Sequence, residues 1–252
     1  MVRTPGGESV NTPDLPATPD LPATPAPPDP STLSAFGDRL AAIRSRIDSA
    51  APDPGVVTLV AVTKGFGPEA VRLALGAGLT AVGENYADEL VAKAAAIAGE
   101  SGPAPQWHFL GAIQRNKVPR LAPLVACWQA VCRVEEGRAI ARRHPGARVL
   151  VQVDVAGLPG RGGVPPMAVG ALVAALRDED LDVAGLMAVG APGPPEGARA
   201  GFREVRRLAD LLDLGIRSMG MTDDLEVALS EGSTMIRVGR ALFGDRPPRL
   251  EQ

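Results

Sequence analysis

Lys64 is the residue in this chain best suited to covalent chemistry. It closes the apolar run 56–63 and stands beside Gly65, and only Lys64, Lys93 and Lys117 among the 26 basic residues are lysine. An amine that can lose its proton and attack a carbonyl cannot be replaced by guanidinium, which stays charged and is not nucleophilic. A lysine retained at the end of a buried strand is therefore a candidate for Schiff-base chemistry, although a strand-end lysine also snorkels to solvent. Near the other end of the chain, Ser218-Met219-Gly220-Met221-Thr222-Asp223-Asp224 and Arg237-Val238-Gly239-Arg240 combine hydroxyls, small turn residues and guanidinium groups. Backbone N–H groups at Gly239 and at the start of a following helix can approach an anion. Both segments suit a phosphate. A phosphate grip beside an amine is what a phosphorylated aldehyde requires, because anchoring raises the effective concentration of the carbonyl. At its reference pKa of about 10.4 an amine is mostly protonated at neutral pH, so burial or a cation such as Arg237 must help to free it. From spacing alone, an ion pair for Arg237 and ordinary strand-to-helix turns at Ser218 and Gly239 remain open.

These groups meet only if the intervening elements bring the two ends together. Leu33, Phe36, Leu40, Ile43 and Ile47 recur at helical spacing, giving an amphipathic helix over 33–47. Strands follow at 56–63, 80–83, 107–110, 125–131, 148–155, 183–188, 216–219 and 235–238. Helices lie between them at 68–77, 85–98, 116–124, 135–143, 166–177, 197–212 and 223–230. Eight strands alternating with helices fit a single-domain α/β fold, the (β/α)8 TIM barrel, whose usual size is roughly 250 residues. An open doubly wound sheet is the alternative. In a barrel the eighth strand closes on the first, which sets Lys64 at the mouth beside the loops after strands seven and eight.

The first thirty residues belong to another regime. Asp14-Leu15-Pro16-Ala17-Thr18-Pro19 is repeated at once as Asp20-Leu21-Pro22-Ala23-Thr24-Pro25, and Pro27, Pro28 and Pro30 follow. Proline fixes φ and removes backbone donors, so 1–30 reads as a disordered, extended tail and 31–252 as the barrel. A docking ligand for a proline-reading partner is the other reading of the tail. With 45% hydrophobic but only 3% aromatic residues, the core is built from Val, Leu, Ala and Ile. The net charge of −3 with mixed signs leaves no footprint for nucleic acid. No apolar run reaches the roughly 18 residues of a membrane span, so the expected location is the cytoplasm. Cys127 and Cys132 lack a second pair or a histidine cluster, so they read as buried small hydrophobes rather than a metal site, a disulfide or a redox pair being the alternative. His108 reads as a hydrogen-bonded structural residue, His144 as a helix end at the surface, and Asp223 with Asp224 as the acidic start of a helix.

The segments Val62-Thr63-Lys64, Gly83-Glu84-Asn85-Tyr86, Trp107-His108-Phe109-Leu110-Gly111 with Gln114, Asn116 and Lys117, Gly185-Leu186-Met187, Ser218-Met219-Gly220-Met221 and Gly232-Ser233-Thr234-Met235-Ile236-Arg237-Val238-Gly239 occur in this order. Together they resemble the YggS/PROSC family of pyridoxal phosphate homeostasis proteins, from about residue 31 to 244. The resemblance implies a barrel like the N-terminal domain of alanine racemase, carrying pyridoxal 5′-phosphate (PLP). It implies that Lys64 holds the cofactor as an aldimine and that Ser218 with the backbone of Gly239 and Arg240 grips the phosphate. It further implies that Arg237 faces the pyridine nitrogen and that Asn85 and Met219 line the ring. An arginine at that nitrogen disfavours its protonation and weakens the ring as an electron sink. The chain departs from the family pattern at Ala112, where histidine is frequent, at Arg161-Gly162-Gly163, where lysine is usual, and at the flexible exit Gly65-Phe66-Gly67.

Related racemases use a second domain that carries a tyrosine acid or base, whereas only eight residues follow Gly244 here and Tyr86 is the sole tyrosine. The resemblance therefore implies a non-catalytic PLP carrier that serves PLP homeostasis and exchanges cofactor with PLP-dependent apoenzymes, and it leans towards a monomer. The alternatives are a fold-type III amino-acid racemase or decarboxylase, and a cofactor-free Schiff-base aldolase.

Overall fold

A computed structural model describes residues 29–158, 160 and 162–246. Residues 1–28, which carry most of the expected tail, and Arg161 lie outside the described residues. The helix expected over 33–47 is longer at both ends. Asp29 caps the first helix, α1 (Pro30–Ala50), by accepting from the backbone N–H groups of Ser31 and Thr32, at 2.9 and 3.0 Å. Pro30 occupies the first turn, where its missing N–H costs nothing.

The strands are β1 (Thr58–Val62), β2 (Ala81–Glu84), β3 (Gln106–Phe109), β4 (Val125–Val131), β5 (Arg148–Val153), β6 (Asp182–Ala188), β7 (Ile216–Ser218) and β8 (Met235–Val238). All pair in parallel, each with its sequence neighbours, and β8 closes on β1 with Val60 opposite Arg237 and Ala61 opposite Val238. The expected closed barrel is therefore the fold. Between the strands run α2 (Pro68–Gly76), α3 (Ala87–Ala96), α4 (Val118–Leu121), α5 (Val134–Ala141), α6 (Val169–Arg177), α7 (Arg199–Leu211) and α8 (Leu225–Ser230), and α9 (Arg240–Phe243) ends the series.

Differences from the sequence reading have local causes. The strand expected from residue 56 starts later, because Asp53 accepts from Gly55 N–H and folds Pro54–Val56 into a 3-10 turn. The helix expected from residue 85 starts at Ala87, because Asn85 and Tyr86 finish the β2 exit and Tyr86 is extended (φ −116, ψ 125). The basic helix expected over 116–124 shrinks to one turn. The helix expected from Asp223 starts at Leu225, with Asp224 capping the preceding turn by accepting from Met221 N–H at 2.7 Å.

Two apolar layers hold the barrel. Outside the sheet, Trp128, Phe202, Ile140, Leu176 and Leu186 pack between strands and helices with almost no exposure. α1 covers the β8–β1 seam, burying Phe36, Leu40, Ile43 and Ile47 against Leu225, Leu229 and Leu242. Inside the barrel, Val60, Ala81, Cys127, Ala130, Leu150, Met187 and Met235 form a separate cluster. Small and branched side chains fill this space, consistent with the scarcity of aromatics. Cys127 and Cys132 are free thiols, and burial pushes them up to about 12 and about 11. Among the described residues no helix is long and apolar enough to cross a membrane, and no group of His, Cys, Asp and Glu could hold a metal.

Candidate functional site

The C-terminal ends of β1, β2, β6, β7 and β8 surround a cavity of about 260 Å³. That volume falls just below the usual range of ligand sites, about 300–1,000 Å³, and suits a compact ligand. A larger cavity of about 550 Å³ lies against Trp107, Pro123 and Leu124, beside the N-terminal ends of β3 and β4. Its lining is mostly Gly, Ala and Pro, with Arg72 already bound to Glu100, so it lacks the groups that chemistry needs.

Lys64 follows β1 and lines the smaller cavity half-buried, with its amine held below the usual lysine value. Burial is the largest cause, followed by the Arg246 guanidinium. Glu84 and Glu89 oppose the shift, while Arg237 adds to it. Lowering the amine pKa increases the fraction that is nucleophilic at neutral pH. Arg237 leaves β8 for the barrel interior, where it is 6% exposed. Its Nη1 donates to the Ser218 carbonyl at 2.7 Å and to Ser218 Oγ at 2.6 Å, and its Nη2 donates to the Ala188 carbonyl at 2.8 Å. Burial lowers this guanidinium to about 10, so it stays cationic at neutral pH.

Asn85, Arg237, Gly239 and Arg240 join Lys64 on the cavity lining. Ser218 and Met219 do not reach it. Ser218 is fully buried, donates to Gln129 Oε1 at 2.7 Å and supports Arg237 from below, while Met219 is fully buried in the outer core. The hydroxyl on the cavity wall is that of Thr222, four residues further along. Sequence reasoning gave no individual place on the cavity wall to Arg246, Asp223 or the apolar residues Val62, Leu110, Met187, Val189 and Met221. Arg246 was legible only as an arginine just after the last helix. Asp223, expected to open a helix, instead stands at the rim 3.4 Å from Arg240. The lining thus joins four cations and one carboxylate to a mostly aliphatic wall, a combination suited to an anionic group on a flat apolar body. A Cβ on Gly239 would lie 3.2 Å from the Val62 carbonyl, so the closure of β8 onto β1 is tight where Gly239 meets the cavity.

Beneath the floor, Gln129 links Ser218 to His108: its Nε2 lies 2.7 Å from His108 Nδ1. Burial, with a smaller contribution from Arg148, lowers His108 from 6.5 to about 4, so the ring is a neutral structural partner as expected. The unfolded chain binds this proton more readily than the folded one. The stability contributed by neutral His108 is therefore complete above about pH 6.5 and is lost as the pH falls towards 4, by about 3 kcal/mol for a shift of this size. Thermal melts of His108→Gln should accordingly show a flatter decline of Tm between pH 6.5 and 4 than the parent chain; parallel curves would contradict this assignment.

Residues 33–247 match the family model described as alanine racemase, N-terminal domain. A protein named pyridoxal phosphate homeostasis protein from Pseudomonas aeruginosa is 37% identical over 227 residues, covering 85% of this chain and 97% of the relative. The protein of the same name from Escherichia coli K12 is 31% identical over 232 residues, covering 85% and 98%. Among solved structures, PipY from Synechococcus elongatus, determined with PLP bound, superposes with a TM-score of 0.73 at 30% identity, covering 83% of this chain and all of that one. The barrel, the cavity at its mouth and this extended similarity agree: the chain belongs to the pyridoxal phosphate homeostasis protein family, built on the alanine racemase N-terminal domain.

Proposed function

We propose that this chain binds PLP reversibly and covalently at Lys64 and serves PLP homeostasis as a carrier or buffer. The observation that carries the reading is the Lys64 amine, lowered by burial and by Arg246, on the wall of a compact cavity with a cationic rim. The names of the relatives and the PLP in the PipY structure support it. When bound, the cofactor supplies an aldehyde that condenses with a free amine and expels water. Lys64 supplies that amine. Thr222, Arg240, Arg246 and the backbone at Gly239 would hold the phosphate, and Val62, Leu110, Met187 and Met221 would enclose the ring with Asn85 at its side. Arg237, anchored through Ser218 and Ala188, would keep a positive charge at the ring nitrogen. That charge opposes protonation of the nitrogen and so restrains electron withdrawal, which favours holding the cofactor over turning over amino acids. His108 lies beneath the cavity floor, committed to Gln129 and neutral.

The reading extends to exchange of PLP with PLP-dependent apoenzymes. Its test is to incubate purified, PLP-loaded protein with amino acids and, separately, with a PLP-requiring apoenzyme. The expected result is activation of the apoenzyme with no steady turnover. Sustained racemisation or release of carbon dioxide would identify an enzyme, and a colourless protein that cleaves a sugar phosphate without added PLP would identify an aldolase.

A further inference from the structure

Lys93 is the second of the three lysines, and nothing in the cofactor reading uses it. It lies on α3, 5% exposed, with its ammonium turned towards the β1–β2 edge. Its Nζ donates to the Thr63 carbonyl at 2.7 Å, to Glu84 Oε1, and to Glu89 Oε2 at 3.3 Å. An ammonium has three N–H bonds, and here each has an acceptor. Glu89 Oε2 in turn accepts from the backbone N–H of Gly65 at 2.8 Å. Thr63 Oγ1 donates to the same Glu84 oxygen at 2.7 Å.

Thr63 and Gly65 are the two residues that flank Lys64. The carbonyl before Lys64 and the N–H after it are therefore tied to one ion-pair cluster, buried at Lys93 and Glu84 and partly exposed at Glu89, and the Phe66 N–H closes the turn onto the Thr63 carbonyl at 3.0 Å. Gly65 needs that restraint, since its φ of 76 lies in the left-handed region and glycine has wide conformational freedom. Arginine could not replace Lys93: its planar fork cannot direct three donors from one atom to acceptors on two carboxylates and a carbonyl. A buried ion pair is weak evidence of stabilisation in itself, because desolvation offsets much of the attraction. Its connection to both peptide groups around the reactive lysine gives it a more specific role.

We propose that Lys93 and Glu89, held by Glu84, are positioning residues that clamp the backbone on both sides of Lys64 and so fix the amine in reach of the bound aldehyde. This rests on the cofactor reading above. Small displacements of a reacting group are costly, about 100-fold for 1 Å.

Three variants separate the parts. Glu89→Ala removes the acceptor for Gly65 at a partly exposed position, Glu89→Gln keeps an acceptor oxygen there, and Lys93→Met removes all three donors. Each full chain is loaded with PLP, release is followed by absorbance, and the adduct is trapped with borohydride and located by mass spectrometry. Amide hydrogen exchange at Gly65 is read on the cofactor-free chain. Glu89→Ala and Lys93→Met should release PLP about tenfold faster, with Gly65 exchanging faster by a similar factor, while Glu89→Gln stays within about twofold of the parent. If Lys93→Met fails to fold, the two Glu89 variants decide. Unchanged release and exchange in Glu89→Ala overturns the clamp, even where its thermal stability falls. Absence of any adduct on Lys64 in the parent overturns the cofactor reading and the clamp with it, whereas an adduct equally held by parent and variants overturns the clamp alone.

Discussion

Lys64→Ala should abolish the visible absorbance of the PLP-loaded protein and leave no borohydride-stable adduct at position 64. The replaced side chain is only half-buried at the cavity wall, so the barrel should fold as before. Retention of the remaining cofactor then depends on phosphate and ring contacts alone. Loss of the covalent link should weaken it by a factor on the order of 100 or more, about 3 kcal/mol. Lys64→Arg isolates the reason, because guanidinium keeps the positive charge and loses the nucleophile. It should fail to form the adduct as completely as alanine does. In the parent chain, the rate at which cofactor-free Lys64 captures PLP should rise with pH around a midpoint below 10.5, the ordinary lysine value, because burial and Arg246 favour the neutral amine. Trapping of PLP on Lys93 or Lys117 with Lys64 unmodified would defeat this prediction, as would a capture midpoint at or above the ordinary value.

Gly111→Ala should damage fold and site together. A Cβ at position 111 would fall 1.9 Å from the Asn85 carbonyl oxygen and 2.9 Å from its carbon. Both are backbone atoms, so the collision cannot be relieved by turning a side chain. Asn85 lines the cavity, and the exit of β2 is fixed by the Leu110 N–H donating to the Glu84 carbonyl at 2.7 Å. Overpacking of this kind costs about 1–3 kcal/mol, which lowers Tm by roughly 2–12 °C in a domain of this size. The displaced Asn85 should also weaken PLP retention. Gly37→Ala is the control: it lies in α1 with nothing within 4 Å of the added methyl, and alanine there should stabilise the helix by about 0.5–1 kcal/mol. Similar melts and PLP affinities for Gly111→Ala and the parent would show that the Asn85 segment yields freely.

Much of this architecture was legible in one dimension. β5 reads Arg-Val-Leu-Val-Gln-Val, and a nearly continuous apolar, β-branched run of this kind is what a parallel strand covered on both faces requires. Repetition of such runs with helical segments between them specified eight strands. Strand ends were less legible, because capping decided them: Asp53 turned the start of β1 into a 3-10 turn, and the extended backbone of Tyr86 delayed α3.

For the site, residue chemistry at strand ends pointed to Lys64, Arg237, Gly239 and Arg240, and the family resemblance added Asn85; all five line the cavity. It could not choose between the hydroxyls of Ser218 and Thr222. That choice depends on the direction in which each side chain leaves the β7 end, and Ser218 turns inward beneath Arg237 while Thr222 reaches the mouth. The lowering of the Lys64 amine by burial and by Arg246, and the hold of Lys93 and Glu89 on its neighbours, depend on distances through space. By itself the sequence determined which chemical groups the chain owns and the periodicity that folds it into a barrel. Only the tertiary structure decided which of those groups share a cavity, because closing β8 onto β1 and packing α3 against β2 bring together residues remote along the chain.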